Sequence, residues 1–279
     1  MNKKSVLIII VLYKKRLEES MGFSSYIENE KFLVHRHELI VYNNSPEIDI
    51  KASDNFTVIT AKENKMLAEA YNEGLKFAGR NGFGWIMLID HDTYLNAKYF
   101  KEATIFLGNT NRCKAAAPII EVKGATASPI QYKPLLGPYF GFHPITKPGY
   151  TGKCLAAFNS GTLLDVEEMR KIGGFNEEYP LDSLDNWYYH QLYKRNCRIY
   201  IMDVKIIQNL SVADYGQMTT SRYKSVMNYS LKFAMSLGIT ATASWRLRNI
   251  GRCLIQLTTS NKRKFVPLTI QYLYKHWID

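Results

Sequence analysis

The sequence predicts an α/β fold: a mainly parallel sheet flanked by helices, followed by a C-terminal helical extension. Three observations predict it. Short apolar segments alternate with helix-like segments through the first half of the chain, an order typical of a parallel sheet with helices on both faces. The first apolar segment is a continuous run of Val, Leu and Ile, as in strands that are buried on both faces. Beyond residue 221 the pattern becomes helical and basic.

The first half of the chain contains four predicted strands and two predicted helices. The strands are Ser5–Leu12, Glu38–Tyr42, Phe56–Thr60 and Trp85–Ile89, and the helices are Leu17–Glu28 and Lys65–Ala78. The first strand follows two lysines, as a signal peptide would, but no small-residue cleavage site comes after it. It is also much shorter than the ~20 apolar residues that span a bilayer. We therefore interpret it as a buried strand.

The second half is less regular. Residues 118–154 are rich in Pro, Gly and aromatic residues, which predicts a long irregular excursion of the kind that often forms a lid or a binding loop. A helix is predicted from Asp185 to Arg195, followed by short strands at Arg198–Met202 and Val204–Ile207. With 46% apolar and 22% charged residues, the chain can bury a substantial core.

Asp90 and Asp92 directly follow the predicted strand Trp85–Ile89. Ligands of parallel sheets bind outside the carboxyl ends of the strands. Two carboxylates one residue apart can present oxygen atoms to one hard cation, such as Mg²⁺ or Mn²⁺. Because two neighbouring carboxylates repel each other, a cation or a proton is expected between them. The alternative is a pair of ordinary surface acids at the start of a solvated loop, with His91 as a bystander.

Four segments resemble the family-2 inverting glycosyltransferases of the GT-A type, especially their rhamnosyltransferase-like branch. The segments are Val41–Pro46, Asn64–Gly74, Leu88–Thr93, and Asn159–Gly161 together with Ile172–Glu177. The resemblance covers roughly residues 5–215 and implies a GT-A-like (Rossmann-like) domain over 1–215, with 216–279 as a basic, aromatic helical extension. It implies transfer of a sugar from a UDP- or dTDP-sugar, with Mn²⁺ or Mg²⁺, to a glycan or lipid-diphosphate-linked acceptor in surface polysaccharide synthesis, such as lipopolysaccharide or capsule.

The resemblance also implies roles for particular residues. Asp185 occupies the place of the base that takes the acceptor proton. Asp182 is the alternative for that role, or else a cap of the following helix or a structural acid. Asn209 stands at the place of a third metal ligand beside Asp90 and Asp92, where the family often has a histidine; the alternative is that this ligand is missing or is a water. Contacts to the nucleotide sugar are implied for Tyr13, Asn43, Asn44, Asn64, Asp90, Asn159 and Ser160. Packing remains an alternative for Tyr13, and a plain turn remains one for Asn159 and Ser160.

The net charge of +11 indicates affinity for anionic partners. Nucleic acid is disfavoured because the sequence has no zinc-finger, helix-turn-helix or RNP-like motif. The basic, aromatic C-terminus suits anionic lipid headgroups or is a solvated helical face. The four cysteines are far apart and fit a reducing cytosol. We therefore expect a cytoplasmic protein, with peripheral contact to the inner face of the cytoplasmic membrane and the oligomeric state both left open.

Two other functions remain open from the sequence. A haloacid-dehalogenase-like phosphatase also carries Asp-x-Asp after a strand, but it needs a threonine two residues beyond the second Asp, where this chain has Tyr94. A non-catalytic carbohydrate-binding scaffold with a glycosyltransferase-like fold is the second alternative. It is motivated by departures from the family pattern at Asn43, Lys65, Leu184 and Asn209.

Overall fold

A mixed sheet of nine strands forms the centre of the chain in a computed structural model, which describes residues 2–109, 113–208 and 218–274. The described strands are β1 (Asn2–Leu12), β2 (His37–Asn43), β3 (Thr57–Thr60), β4 (Phe83–Asp90), β5 (Cys113–Val122), β6 (Ala125–Ser128), β7 (Ile130–Gln131), β8 (His143–Pro144), β9 (Gly149–Thr151), β10 (Leu155–Ala156), β11 (Thr162–Asp165) and β12 (Arg198–Ile207). The main sheet has the order β3-β2-β1-β4-β11-β5-β12-β9, with β6 paired to β5. Strands β10, β7 and β8 form a separate small sheet.

The helices cover both faces of this sheet. They are α1 (Met21–Asn29), α2 (Met66–Arg80), α3 (Ala97–Gly108), α4 (Val166–Lys171), α5 (Leu184–Lys194), α6 (Thr220–Leu237), α7 (Ile239–Thr258) and α8 (Val266–Tyr274). Helices α1 and α3 pack on one face, and α2, α4, α5 and the C-terminal helices pack on the other. The predicted fold class is therefore confirmed: a mixed, mostly parallel sheet flanked by helices, with helices at the C-terminus.

Strand β1 shows why a continuous apolar run was needed. Successive side chains of a strand point to opposite faces. Leu7 and Ile9 accordingly join the core under α2, whereas Ile8 and Ile10 join the core under α3, and all four are fully buried. Strands β1 to β4 are parallel, and β11 runs antiparallel between β4 and β5. The carboxyl ends of β1, β2 and β4 therefore lie side by side.

Some boundaries differ from the sequence-based expectation. Leu17–Glu19 forms a short 3₁₀ turn instead of the start of α1, because the Ser20 hydroxyl caps α1 by accepting from the Phe23 N–H at 3.1 Å. The two short strands expected after residue 198 are one strand, β12, whose pairing with β5 shifts register between Ile201 and Lys205. Part of the expected irregular excursion belongs to β5 and to the short strands β6 to β10.

The C-terminal helices share a core with the sheet. Tyr223 of α6 and Trp245 of α7 are buried in the same cluster as the residues of β1 under α2. Tyr223 also stacks on Phe265 with ring centroids 4.4 Å apart, and its hydroxyl bonds to Thr269 at 2.6 Å. Within the described residues, none of the helices combines the length and the apolar character that crossing a membrane requires.

Candidate functional site

A cleft of about 580 Å³ opens at the carboxyl ends of β1, β2 and β4. Its lining includes Tyr13 after β1, Asn44 after β2, Asp90 at the end of β4 and Asp92 just beyond it. Asp185, from the first turn of α5, lines the same cleft. The topology thus brings together polar residues that lie far apart in sequence, at the edge where parallel sheets bind their ligands.

The Asp90-His91-Asp92 segment is held in place by its backbone. The Asp90 N–H donates to the Ser160 hydroxyl at 3.2 Å, and the His91 carbonyl accepts from the Gly22 N–H at 3.2 Å. A Cβ on Gly22 would overlap the Asp90 carbonyl oxygen. Glycine therefore lets the N-terminus of α1 pack directly against this segment, which fixes the two carboxylates in space.

Four aspartates line the cleft, and the surroundings of two of them, Asp90 and Asp185, disfavour the ionised form. Burial, together with the charges of Asp92 and Asp185, raises the pKa of Asp90 to about 7. Burial also raises the pKa of Asp185 to about 6, with a contribution from the charge of Asp182 and opposition from the Asn186 N–H. Strongly perturbed carboxyl groups in a cleft are typical of functional sites, and a cation beside them would relieve their repulsion.

The donor set at the cleft suits a hard cation. Asp90 and Asp92 offer carboxylate oxygens, and Gln208, the residue after β12, also lines the cleft. Gln208 is buried, and its Oε1 has no hydrogen-bond partner among the described residues. The described residues contain no group of three or more His, Cys, Asp or Glu side chains clustered for a metal. The set therefore fits Mg²⁺ or Mn²⁺ only if phosphate or water supplies the remaining ligands.

The family resemblance implied Asn209 as a metal ligand and did not identify its neighbour Gln208. Asn209 lies outside the described residues. The available signal was positional, because Gln208 follows β12 immediately, as Asp90 closes β4. The unpartnered oxygen that distinguishes Gln208 depends on side-chain direction, which the sequence does not specify.

Asp182 and Asp185 have different surroundings, although only three residues separate them. Asp182 forms an ion pair with Arg222 and accepts a hydrogen bond from the Ser225 hydroxyl at 2.5 Å, which ties the start of α5 to α6. It does not cap α5, whose N-cap residue is Ser183, with a left-handed φ of 61° and no side-chain cap. Asp185 has no ion-pair partner among the described residues, and its Oδ1 accepts from the Asn186 N–H at 2.7 Å. Of these two carboxylates, Asp185 is therefore the one that is available to a ligand.

The asparagines after β2 divide into structural and cleft-lining residues. Asn43 is fully buried and lies outside the cleft lining, with both ends of its amide bonded to Ile48 and Ser45 in the turn. Asn44 lines the cleft, and its amide bonds to the backbone of Lys65 and Met66 at 2.8 Å each. Asn44 therefore fixes the loop that leads into α2.

Of the other residues that were predicted to contact the nucleotide sugar, some line the cleft and one lies outside it. Tyr13 is 42% exposed and lines the cleft, and the Lys14 ammonium lies 5.3 Å from its ring centroid, so the exposed part of the ring can stack on a ligand. Asn64 and Asn159 line the cleft as well, and Asn159 Oδ1 accepts from the Tyr188 hydroxyl at 3.1 Å. Ser160 is fully buried outside the lining and supports the Asp90 backbone instead.

Helix α6 completes the cleft, which the sequence analysis did not foresee. Thr219, Ser221, Arg222 and Ser225 all belong to the lining. Thr219 caps the helix by accepting from the Arg222 N–H at 3.2 Å. The N-terminus of an 18-residue helix, where the macrodipole is positive, therefore lies beside the cleft. No periodicity in the sequence indicates which end of a helix meets a site elsewhere in the fold.

Comparisons with known proteins agree with this architecture. The chain matches no protein-family model and no curated protein sequence. Among solved structures it is similar to residues 1–349 of S. aureus TarS, with a TM-score of 0.52 and 14% identity over 94% of this chain and 74% of that one. It is also similar to the mannosyltransferase PcManGT from Pyrobaculum calidifontis in complex with GDP-Man and Mn²⁺, with a TM-score of 0.54 and 11% identity over 98% and 87% of the two chains. The fold is therefore that of GT-A glycosyltransferases.

Proposed function

We propose that this chain is an inverting glycosyltransferase that moves a sugar from a nucleoside-diphosphate donor to an acceptor hydroxyl. One observation carries the proposal: Asp90 and Asp92 at the end of β4 and Asp185 at the start of α5 line one cleft of a GT-A fold. The first two provide a place for the diphosphate and its cation. The third provides a base close to the donor.

Asp90 and Asp92, with the Gln208 oxygen, are the residues that would hold Mn²⁺ or Mg²⁺. When bound, such an ion offsets the charge that develops on a departing diphosphate. The N-terminus of α6, which also lines the cleft, adds partial positive charge there. Tyr13 stacks on the nucleobase, and Asn44 keeps the loop before α2 in the shape that accepts the nucleotide.

Asp185 is the general base of a single displacement. The acceptor hydroxyl oxygen attacks the anomeric carbon, the bond from that carbon to the diphosphate oxygen breaks, and the hydroxyl proton passes to the Asp185 carboxylate. With a pKa of about 6, Asp185 is ionised at neutral pH and still basic enough to take a proton. Attack from the face opposite the leaving group inverts the anomeric configuration. Asp182 acts as a positioning residue, because its carboxylate is engaged by Arg222.

The finer assignments rest on the resemblance to the family-2 enzymes. The donor is a hexose or deoxyhexose linked to UDP or dTDP, and the acceptor is a glycan or a lipid-diphosphate-linked glycan of a surface polysaccharide such as lipopolysaccharide or capsule. PcManGT, with the same fold, was solved with GDP-Man and Mn²⁺. A GDP-sugar is therefore included among the donors to be tested.

Helix α7 presents an apolar face that suits an anionic membrane surface. Its exposed apolar residues at helical spacing are Leu247, Ile250, Leu254 and Leu257. The basic segment 262–264 follows, and residues 218–274 contain no Asp or Glu. A second copy of this face would bring like charges together, whereas anionic headgroups attract each nearby basic residue by about 1 kcal/mol. The proposed occupant is therefore the inner face of the cytoplasmic membrane, contacted peripherally.

A thermal-shift screen tests the proposed function. Melting of the wild type is followed with UDP, dTDP, GDP and their sugars, each with and without Mn²⁺. A ligand that binds only the native state raises its stability, so one nucleotide should give a Mn²⁺-dependent shift. Asp92→Ala should abolish the shift, and Asp54→Ala, at an exposed position on the turn before β3, should keep it. The proposal fails if no nucleotide gives a metal-dependent shift.

Donor turnover separates an enzyme from a non-catalytic scaffold. Hydrolysis of the donor that gives the shift is measured for the wild type and for Asp185→Asn. An enzyme releases nucleoside diphosphate and loses most of this activity in the variant, while nucleotide binding persists. A scaffold binds the nucleotide but shows no activity to lose.

A further inference from the structure

A second cavity, of about 210 Å³, also has Asp185 in its lining. Asp185 lines both this cavity and the cleft, whereas Asp90 and Asp92 line the cleft alone. Residues of α6 and α7 form one wall, and segments within 127–158 form another. A molecule in this cavity could therefore reach Asp185 without occupying the part of the cleft that Asp90 and Asp92 line.

Asn249 leaves a hydrogen-bond acceptor unused at this cavity. It lies on α7, lines the cavity and is 1% exposed. Its Nδ2 donates to the Trp245 carbonyl at 2.8 Å, which fixes the orientation of the amide. Its Oδ1 has no hydrogen-bond partner among the described residues. A buried polar atom without a partner is unfavourable, so a ligand hydroxyl that donates to Oδ1 would remove this cost.

Arg252, one helical turn further along α7, lines the cavity without an anionic partner. The guanidinium donates to the sulfur of Met227 at 3.2 Å, a weak acceptor, and forms no ion pair with the described residues. Arg248 differs, because its guanidinium donates to the carbonyls of Pro138 and Tyr139, both at 3.2 Å. Among the residues that the structure describes, Arg252 is therefore the cation of this wall for which no strong acceptor is found.

The charges around the cavity favour an anionic ligand. Helices α6 and α7 together contain lysines and arginines but no acidic residue, and α8 contains no charged residue. Asp185 is the one carboxylate in the cavity lining that the structure describes. Since a half-buried guanidinium pairs best with a carboxylate or a phosphate, the ligand itself must supply that group.

We infer that this cavity binds the acceptor, and that the acceptor carries an anionic group, a phosphate or a carboxylate, beside its hydroxyls. Arg252 pairs with the anion, Asn249 Oδ1 accepts from one hydroxyl, and Asp185 receives the proton of the reacting hydroxyl. This inference rests on the proposed function, because it takes Asp185 as the base. It adds the substrate class on the acceptor side, which the donor cleft does not specify.

Calorimetric titration with small probes tests the inference. The probes are glucose 6-phosphate, glucuronate and glucose, each titrated in the presence of saturating nucleoside diphosphate and Mn²⁺ so that the cleft is filled. One or both anionic probes should bind at least about tenfold more tightly than glucose. Their comparison distinguishes a phosphate-bearing acceptor from a carboxylate-bearing one.

Variants of α7 locate the binding site. Arg252→Gln should weaken the anionic probe about tenfold, and Arg252→Lys, which keeps the cation, should retain part of the affinity. Arg246→Gln, on the same helix but outside the cavity lining, should bind as the wild type does. Thermal melting of each variant verifies that it is folded.

Two results would overturn the inference. One is glucose binding as tightly as both anionic probes, and the other is equal affinity of the anionic probe for the wild type and Arg252→Gln. Either result leaves the proposed function intact if the Mn²⁺-dependent nucleotide shift persists. Loss of that shift in the wild type would instead refute the proposed function.

Discussion

Replacing Asp185 by Asn should stabilise the ligand-free protein. Asp185 lies in a partly buried position at the head of α5, where burial and the charge of Asp182 disfavour its ionised form. Asn has nearly the same shape and can still accept from the Asn186 N–H. It carries no charge, so the cost of ionising this position disappears. Such a gain in stability is expected when the replaced residue serves the chemistry of a site at a cost to the stability of the fold.

The magnitude follows from the pKa. A rise from 3.8 to about 6 is worth about 3 kcal/mol at roughly 1.4 kcal/mol per pKa unit. Because solvent reaches part of the side chain, we expect a gain of about 1–3 kcal/mol. The folded state binds the proton more tightly than the unfolded chain, so the penalty is absent below the unfolded pKa of 3.8, grows as the pH rises, and is complete above about pH 7. The gain from Asp185→Asn should be full at pH 8 and about half as large at pH 5.

Urea unfolding at the two pH values, with EDTA present, measures this gain. Asp182→Asn is the matched control, because it should change stability in the opposite direction. It leaves the partly buried Arg222 without its ion pair and weakens the bond to Ser225, at a cost of about 1–3 kcal/mol. An Asp185→Asn variant that is less stable than the wild type at pH 8, or a gain that does not depend on pH, would refute the reasoning.

Four further predictions concern activity and binding. Turnover (kcat) should rise about tenfold per pH unit below pH 6 and level off above pH 7, because the pKa of Asp185 is about 6. A kcat that does not change between pH 5 and 8 would exclude Asp185 as the base. Gly22→Ala should cost about 1–3 kcal/mol in the free energy of unfolding and should weaken Mn²⁺ binding, since the new methyl displaces the Asp90 backbone; unchanged calorimetric affinity for Mn²⁺ would contradict the role of this contact. Tyr13→Ala should raise the Kd of the nucleotide by about tenfold or more through lost base stacking, and an unaltered Kd would show that the ring packs elsewhere. Leu254→Glu should reduce cosedimentation with vesicles rich in anionic lipid, whereas Val34→Glu, at an exposed apolar position near β2, should not; equal sedimentation of both variants would remove α7 as the contact.

The sequence predicts those residues of the site that lie at the ends of buried strands. Strands β1 and β4 are long apolar runs, so their ends, and with them Tyr13 and Asp90, can be located from pattern alone. Asp185 and the GT-A-like fold came from the resemblance to a family. The fold is confirmed, whereas the role of Asp185 stays a prediction.

The other features of the fold and of the site depend on contacts between residues that are far apart in the sequence. Strand β5 contains the run Ala115–Ala117 and Pro118, residues with low β-propensity, and only its neighbours in the sheet make it a central strand. Asn43 and Asn44 are adjacent in sequence, but the turn uses one and the cleft is lined by the other. Such a difference reflects which way a side chain points after a strand ends, and no local pattern records it.

The ion pair between Asp182 and Arg222 has a consequence for protein engineering. Asp182 lies three residues before Asp185 and is bound to Arg222 and Ser225 of α6. The segment that leads into Asp185 is therefore held by the C-terminal helices. Removing α6 would release this segment as well as open the cleft. Chimeras that borrow the C-terminal helices of another protein with this fold should therefore import residues 182–185 from the same parent.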